Sequence, residues 1–331
     1  MMRAHLSSIA SVLVLLALGL PGKSLPAQVP PDSTPGDSLD SARITIAPRR
    51  PGIGSLVRLT IRRVSRPGDS LSMVTGSMAG EPLHFRSENS GELHALGPIP
   101  IEASDSVVAR VALLYASGIV DSVRLAIPYP HRPTPVGGRP ARARRLRVSK
   151  VYTARPDSLT ELRIQREAQQ ARAVGRRAHD TPQLWSLPFL RPRSSRITST
   201  FGSGRVFNGR LTSSHGGVDF AGQPGDVVRA ANRGVVALVA NFFLAGNVVY
   251  LDHGAGVVTG YFHLTEATVA PGDTVERGQQ IGLVGATGRV TGPHLHWSAR
   301  YGQQTFDPMG LIELTSERAN TSKSGSTRAG R

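Results

Sequence analysis

Three short histidine motifs in the C-terminal half of the chain carry residue types that can bind a metal ion. They read HGGVD at 215–219, YFHL at 261–264 and HLHW at 294–297. Side chains alternate faces along a β-strand, so His294 and His296 are expected to point the same way on a strand. The closing motif therefore predicts two imidazoles on one face of a sheet.

The opening motif places His215 and Asp219 four residues apart. That spacing gives one face of a helix, as in the helical zinc signature with two histidines. Gly216 and Gly217 disfavour a helix, so we predict a loop that runs into a strand. Together with His296, this pair supplies two imidazoles and a carboxylate, which suit a zinc ion that keeps a fourth position for water.

This combination of motifs resembles the lysostaphin-type (LytM-like) zinc metallopeptidases, bacterial enzymes that cut the peptide cross-links of peptidoglycan. The resemblance implies that His215, Asp219 and His296 hold one Zn²⁺ ion per chain. It also implies that His263 and His294 assist the attacking water, one as the base and the other as a hydrogen-bond donor to the oxyanion. Which histidine has which role stays open.

The flanking segments extend the resemblance over roughly Arg196 to Leu314, about a third of the chain. The sequence ITSTFG at 197–202 and the sequence FDP at 306–308 look like the flanks of the family motifs. The implied function is a secreted zinc endopeptidase that acts on peptidoglycan.

Two alternatives belong to other functional classes. Some relatives in this family have lost the site and activate cell-wall amidases without being enzymes, and a basic wall-binding adaptor would bind without turnover. Degenerate relatives lack metal ligands, whereas all five positions are filled here, so we favour the enzyme.

The chain has 331 residues and no cysteine. The absence of cysteine excludes disulfides, thiolate ligands and thiol nucleophiles, so any metal must be held by histidines and carboxylates. This restriction agrees with the ligand set of the three motifs.

The formal net charge is +16, and the basic residues are almost all arginine, since lysine occurs only at 23, 150 and 323. Such a balance can indicate nucleic acid, an anionic membrane face or an anionic polymer. No helix-turn-helix, RNA-binding motif or zinc finger supports nucleic acid. We expect peptidoglycan as the partner, with peripheral contact to an anionic envelope surface, although an arginine-rich composition alone would also explain the charge.

The N-terminus predicts export. Residues 1–27 combine a basic start at Arg3 with an apolar run too short to span a bilayer comfortably, which is typical of a signal peptide. Residues 28–41 are rich in Pro, Ser, Asp and Gly and predict a disordered tail. The expected destination is the periplasm, the cell envelope or the extracellular space.

The remaining chain predicts an all-β protein with one connecting helix. Residues 42–130 alternate with period two between turn signals, which favours a small immunoglobulin-like β-sandwich in which His84 and His94 are incidental. Residues 131–195 form a basic Pro/Arg-rich connector, with a helix predicted over 158–175 that starts with a capping box at Ser158. The metallopeptidase domain is expected at 196–314, and a disordered tail at 315–331.

An internal repeat predicts the architecture of the C-terminal domain. The segments 224–230 and 234–239 are echoed by 271–277 and 280–285. This pattern predicts an antiparallel barrel-sandwich built from two similar hairpins. Biotinyl and lipoyl carriers share it, but they need a lysine on an exposed turn, and none occurs between 151 and 322.

Further candidates depend on weaker signals. A hairpin around Gly254 should deliver His263 to the sheet surface, and His253 on its first strand is expected to be structural. Three residues near the motifs are candidates for substrate contact, namely Arg205, Asn208 and Arg289.

Overall fold

A computed structural model describes residues 44–62, 68–87, 92–101, 106–129, 144–209 and 211–316. The predicted signal peptide at 1–27 and the tail at 28–41 lie outside these residues, as does the predicted tail at 315–331 apart from Thr315 and Ser316, which are helical. Within the described ranges, no helix is both long and apolar enough to cross a membrane.

The N-terminal part is a sandwich of two four-stranded antiparallel sheets, in the orders β1-β2-β6-β5 and β4-β3-β7-β8. Its strands are β1 (Ile44–Ala47), β2 (Leu56–Ile61), β3 (Leu71–Met78), β4 (Glu81–Pro82), β5 (Arg86–Ser87), β6 (Leu93–Pro98), β7 (Ser106–Tyr115) and β8 (Val120–Pro128). Alternate residues of β7 are buried, and Val57 and Leu59 of one sheet join Ala109 and Ile127 of the other in one core. The alternation in sequence therefore does produce two sheets packed face to face, as predicted.

The connector contains β9 (Arg144–Leu146), a short 3-10 helix (Lys150–Tyr152) and α1 (Ser158–Arg177). The predicted capping box at Ser158 is wrong by one residue. Asp157 is the N-cap, because its extended backbone lets its carboxylate accept a hydrogen bond of 2.7 Å from the Thr160 amide. Ser158 then lies in the first turn.

The predicted end of the helix at Gly175 is also wrong, since α1 continues to Arg177. The glycine does not stop the helix but allows a close approach. A Cβ atom at Gly175 would lie 1.8 Å from the carbonyl oxygen of Gly302, so only glycine lets α1 touch this turn. Ala171 and Val174 share a core with Val248 and Val258, which packs α1 across the C-terminal sheet.

The C-terminal part is built around a ten-stranded sheet with the central order β10-β13-β20-β17-β16-β15-β18. Its strands, with those of a small side sheet, are β10 (Ile197–Ser199), β11 (Gly204–Phe207), β12 (Leu211–Ser214), β13 (Val218–Ala221), β14 (Val227–Arg229), β15 (Gly234–Phe242), β16 (Gly246–Gly254), β17 (Val257–Ala267), β18 (Thr274–Val275), β19 (Gln280–Val284), β20 (His294–Tyr301) and β21 (Gln304–Phe306). The side sheet has the order β12-β11-β9, in which β9 of the connector pairs in parallel with β11. Residues 309–316 are helical.

The internal repeat produces matching turns, but its strands pair differently from the prediction. Asp226 and Asp273 each accept a 2.8 Å hydrogen bond from the amide three residues earlier. However, β14 of the first copy pairs with β19 of the second, and β18 of the second pairs with β15 of the first. The two copies therefore interlock and do not form separate hairpins, so each copy completes the other.

The sandwich meets the C-terminal part through a chain of polar groups, here called the junction cluster, which comprises the buried Glu81 and the partly buried His84 and His179. The His179 Nε2–H donates to Glu81 over 3.0 Å, and the His84 Nε2–H donates to His179 Nδ1 over 2.8 Å. The Gln303 amide donates to the second oxygen of Glu81 over 3.0 Å. The prediction that His84 is incidental is therefore wrong, because it belongs to this contact between the two parts of the chain.

Candidate metal centre

Three donor atoms converge on one point between β13 and β20. His215 Nε2 lies 3.0 Å from Asp219 Oδ1, and His296 Nδ1 lies 2.8 Å from the same oxygen. The two nitrogens are 2.9 Å apart. Among the described residues, this is the one group of histidines and carboxylates that could hold a metal ion. These three residues are here called the metal-site cluster.

The strand register explains how Asp219 and His296 come together. They are direct partners in the antiparallel pair of β13 and β20. His294 is two residues away on the same face of β20, and its Nε2 lies 3.7 Å from Asp219 Oδ1. The alternation predicted for the closing motif therefore places both histidines at the site.

His215 lies in the loop between β12 and β13, as the two glycines predicted. Its Nδ1 is 2.9 Å from the carbonyl oxygen of Thr200, which can only accept a hydrogen bond. Nδ1 must therefore carry the proton, and Nε2 presents its lone pair to Asp219 and His296. The Thr200 carbonyl belongs to the flanking ITSTFG segment, so that segment orients the His215 ring through its backbone.

A close backbone approach explains the second glycine of the opening motif. A Cβ atom at Gly217 would lie 2.8 Å from the His296 ring and 2.4 Å from the Trp297 carbonyl oxygen. A Cβ atom at Gly216 would meet nothing within 4 Å. Gly217 thus leaves space for the His296 ring, which also stacks on Phe262 with ring centroids 5.2 Å apart.

Burial and hydrogen bonding set the protonation of the cluster. Burial would raise the pKa of Asp219, but its close contacts with His215 and His296 outweigh this effect, so the pKa lies well below its usual range. Burial lowers the pKa of His296 to about 4, against the opposing effect of Asp219. Both groups are therefore held in the unprotonated forms that metal ligands need.

A β-bulge directs His263 toward the cluster. Asn247 pairs with Leu264 and Val249 pairs with Tyr261, so two residues of β17 oppose Val248 alone. His263 is the second of these two residues and has a φ of 62°, in the left-handed region that non-glycine residues rarely adopt. Its ring centroid lies 4.9 Å from that of His294. The predicted strand is present, but the bulge could not be read from the sequence.

Backbone carbonyls favour the same tautomer for His263 and His294. Nδ1 of His263 is 2.8 Å from the Thr287 carbonyl oxygen, and Nδ1 of His294 is 2.8 Å from the Gly292 carbonyl oxygen. Each Nδ1 must donate, which leaves Nε2 of each neutral ring as a proton acceptor. Burial lowers the pKa of His263 well below its ordinary value, with further lowering by His294 and His296.

Arginines line the groove beside the cluster. Arg205 forms an ion pair with the Oδ2 oxygen of Asp219, and the Arg289 guanidinium lies 4.2 Å above the Phe207 ring. Asn208 is used differently from the prediction. Its side chain hydrogen-bonds both backbone groups of Val148, so it holds the connector and does not face the groove.

The donor set matches the ligand chemistry of zinc. Zinc sites in proteins are built from imidazole nitrogens and carboxylate oxygens at bond lengths of about 2.0–2.1 Å, and a tetrahedral arrangement separates the ligand atoms by about 3.3 Å. The three donor atoms here are 2.8–3.0 Å apart, and a neutral imidazole or a carboxylate can offer a lone pair at each position. The residues therefore fit a zinc ion.

The sequence reasoning named all five residues that meet at this site but missed several groups that orient them. The carbonyls of Thr200, Thr287 and Gly292 are backbone groups and have no signal of their own in sequence. Phe262 could have been noticed, because it precedes His263 in the YFHL motif and pairs with His296 across β17 and β20.

Comparison with known proteins decides the family. Residues 213–308 match the family model described as Peptidase family M23. The chain carries a peptidase family M23 domain. The matched range includes all five residues gathered at the site.

Two relatives show how far the similarity extends. The chain is 45% identical over 103 residues to the peptidoglycan DD-endopeptidase ShyA of Vibrio cholerae, covering 31% of this chain and 24% of the relative. It is 40% identical over 109 residues to the DD-carboxypeptidase/endopeptidase Mpg of Neisseria meningitidis, covering 33% and 25%. The chain thus spans about a quarter of the length of these relatives.

A solved structure covers more of the chain. That structure is of a Pseudomonas aeruginosa protein described as a peptidase M23, and this chain matches it with a TM-score of 0.59 and 25% sequence identity. The match covers 80% of this chain and 95% of the other. The similarity therefore extends beyond the M23 domain into the rest of the fold.

Proposed function

We propose that this protein is a zinc-dependent endopeptidase that hydrolyses peptide cross-links of bacterial peptidoglycan. The observation that carries the proposal is the convergence of His215 Nε2, Asp219 Oδ1 and His296 Nδ1 beside two imidazoles with accepting Nε2 atoms. The M23 match and the relatives named as peptidoglycan endopeptidases support it.

The metal-site cluster would hold the zinc ion, with Arg205 balancing the charge of Asp219 from the other side. Zinc in this position would supply Lewis-acid chemistry, since it polarises a carbonyl and makes water more acidic. The hydrogen bond from His215 to the Thr200 carbonyl keeps this ligand in the required tautomer.

His263 and His294 would handle the protons of the reaction. Each holds an accepting Nε2 atom in place through a hydrogen bond from Nδ1 to a backbone carbonyl. One imidazole would take the proton from the attacking water, and the protonated ring can then donate to the departing amine or the oxyanion. No glutamate is needed for this step.

We also propose that the chain is exported to the periplasm, the cell envelope or beyond. The N-terminal segment 1–27 and a substrate that lies outside the cytoplasm support this proposal. Cell fractionation, with mass spectrometry of the mature N-terminus, tests it. A full-length chain found only in the cytoplasm would contradict it.

The test of the function is digestion of purified peptidoglycan with the zinc-loaded full chain, followed by mass spectrometry of the products. We expect cross-linked peptide dimers to disappear and monomers to appear, and we expect chelation or His294→Ala to stop this. Stimulation of an amidase that survives chelation would favour a non-enzymatic regulator, and binding without any product would favour an adaptor. Either result would reject the endopeptidase.

A further inference from the structure

The groove beside the metal-site cluster is lined by four arginines, Arg144, Arg196, Arg205 and Arg289, here called the groove arginines. Among the lining residues that the structure describes, Asp219 is the one carboxylate, and it belongs to the metal-site cluster. Bound zinc would add positive charge to this surface. The groove is therefore short of negative charge on the side where a substrate would lie.

An aromatic ring holds the Arg289 side chain in place, but no carboxylate among the described residues balances its charge. Its guanidinium stacks over Phe207 at 4.2 Å, a cation–π contact that fixes the plane of the group and leaves its N–H edge free to donate. In the described part of the chain, no carboxylate forms an ion pair with it. Burial, together with the charge of Arg205, lowers the pKa of Arg289.

Arg205 is a second cation in the groove. One of its terminal nitrogens donates to Asp219, but its Nε atom is buried and has no hydrogen-bond acceptor among the described residues. The Nε atom has almost no exposed surface, so a ligand in the groove would meet Arg205 through the charge of its side chain, which is 16% exposed.

Arg205, Phe207 and Arg289 occupy the centre of the groove. They line the half that contains His294 and also the half that contains His263 and His296. An extended peptide bound along the groove with its scissile amide over the metal-site cluster would therefore pass these two arginines.

We propose that Arg289, together with Arg205, binds a carboxylate on the residue next to the scissile amide and selects anionic peptides as substrates. This inference rests on the proposed endopeptidase function and adds a specificity determinant to it. A planar guanidinium held by an aromatic ring can offer two parallel N–H donors to a carboxylate, which a neutral side chain cannot match.

The test uses two synthetic cross-linked peptides that differ at one group, a free carboxylate or a carboxamide next to the scissile amide. We expect the wild-type chain to prefer the carboxylate by about 10- to 100-fold in kcat/KM, as a charge-assisted contact predicts. Arg289→Gln should bring this ratio close to one, and Arg289→Lys should give an intermediate ratio, because lysine keeps the charge but loses the planar pair of donors.

Arg124→Gln is the matched control. It removes the same charge from an exposed position on β8 of the sandwich, so its ratio should equal that of the wild type. A wild-type ratio near one would overturn the inference. So would an Arg289→Gln variant that changes both rates by the same factor, because that result would indicate a structural role or a closed groove.

A binding measurement separates this inference from the proposed function. Calorimetry with zinc-loaded His294→Ala protein and the same two peptides reports the carboxylate contact without turnover. If the wild type cleaves neither peptide but the carboxylate still binds at least about 10-fold tighter and Arg289→Gln abolishes the difference, the function fails and the arginine site stands. If both peptides are cleaved with equal efficiency and bind equally, the function stands and the arginine site fails.

Discussion

Two clusters in this molecule are built from the same types of side chain, histidines and a carboxylate, but arrange them differently. The metal-site cluster has two histidines and Asp219, and the junction cluster has two histidines and Glu81. In the first, each donor atom lies within 3.0 Å of both others. In the second, the contacts form a line from His84 through His179 to Glu81.

This difference decides what each cluster can do. In the line, both nitrogens of His179 are used, one to donate and one to accept, so no set of free lone pairs meets at one point. In the metal-site cluster, the Nδ1–H of His215 donates to a backbone carbonyl, so its Nε2 lone pair points toward the other two donor atoms. Residue type and burial alone therefore do not define a metal site, and the tautomer imposed by neighbouring groups is what separates chelation from packing.

The largest expected effect comes from breaking each cluster at a histidine. His296→Ala should reduce the zinc content from about one ion per chain to below about one tenth, and should lower kcat/KM by about 10³-fold or more, because one of three ligands is lost. His179→Ala should leave the zinc content unchanged. Atomic emission on dialysed protein measures both, and equal zinc losses in the two variants would erase the distinction between the clusters.

The next effect separates holding the metal from using it. His294→Ala should retain zinc but lower kcat by about 10²- to 10⁴-fold, since a proton-transfer group is lost while the three ligands stay. The measurement is peptide cleavage together with zinc content on the same sample. A variant that lost its zinc would move His294 into the ligand set.

The two glycines of the opening motif provide a matched pair. Gly217→Ala should weaken zinc binding by about 10- to 100-fold, because the added methyl group meets the His296 ring and the Trp297 carbonyl. Gly216→Ala should have little effect, because its Cβ meets nothing within 4 Å. Competition with a chromogenic chelator measures the two affinities, and equal losses would indicate that the loop backbone, and not the ring contact, explains the glycines.

In the junction cluster, Glu81→Gln should lower the stability of the fold and leave the zinc content unchanged. Glu81 accepts hydrogen bonds at both oxygens, from His179 and from the Gln303 amide. The NH₂ group of glutamine must face one of these donors, which leaves a buried donor unsatisfied at a cost of about 1–3 kcal/mol. Thermal unfolding should shift down by several degrees at an unchanged zinc content. An unchanged midpoint would show that the cluster does not stabilise the junction.

The smallest effect is a pH dependence of stability at the same cluster. Burial, with the charge of His179, lowers the pKa of His84 from 6.5 to about 4. Between these values the unfolded chain binds more protons than the folded chain, so stability falls as the pH is lowered from 6.5 to 4. His84→Gln should reduce the slope of the unfolding midpoint against pH over this range. A slope equal to that of the wild type would show that His84 does not contribute.

The sequence motifs named the three residues that the structure brings together in the metal-site cluster. The alternation of His294 and His296 on β20, the loop at His215 and the sandwich strands all follow from patterns within a few residues. What local patterns could not show depends on pairing across the fold. The bulge that turns His263 inward requires the register of β17 against β16, and His84 meets His179 across 95 residues.

The interlocked repeat has the same cause. Both copies contain similar turns and strands, so a hairpin within each copy and a pairing between copies satisfy the local pattern equally well. Packing of the whole domain favours β14 with β19 and β18 with β15, because each copy alone would leave its strand edges open.

The central claim is that His215, Asp219 and His296 hold one zinc ion, and X-ray absorption spectroscopy of the zinc-loaded full chain tests it most directly. The account predicts one zinc per chain with two imidazole nitrogens and one or more oxygens at about 2.0–2.1 Å, and the loss of one imidazole contribution in His296→Ala. A spectrum without imidazole scattering, or one that His296→Ala leaves unchanged, would contradict it.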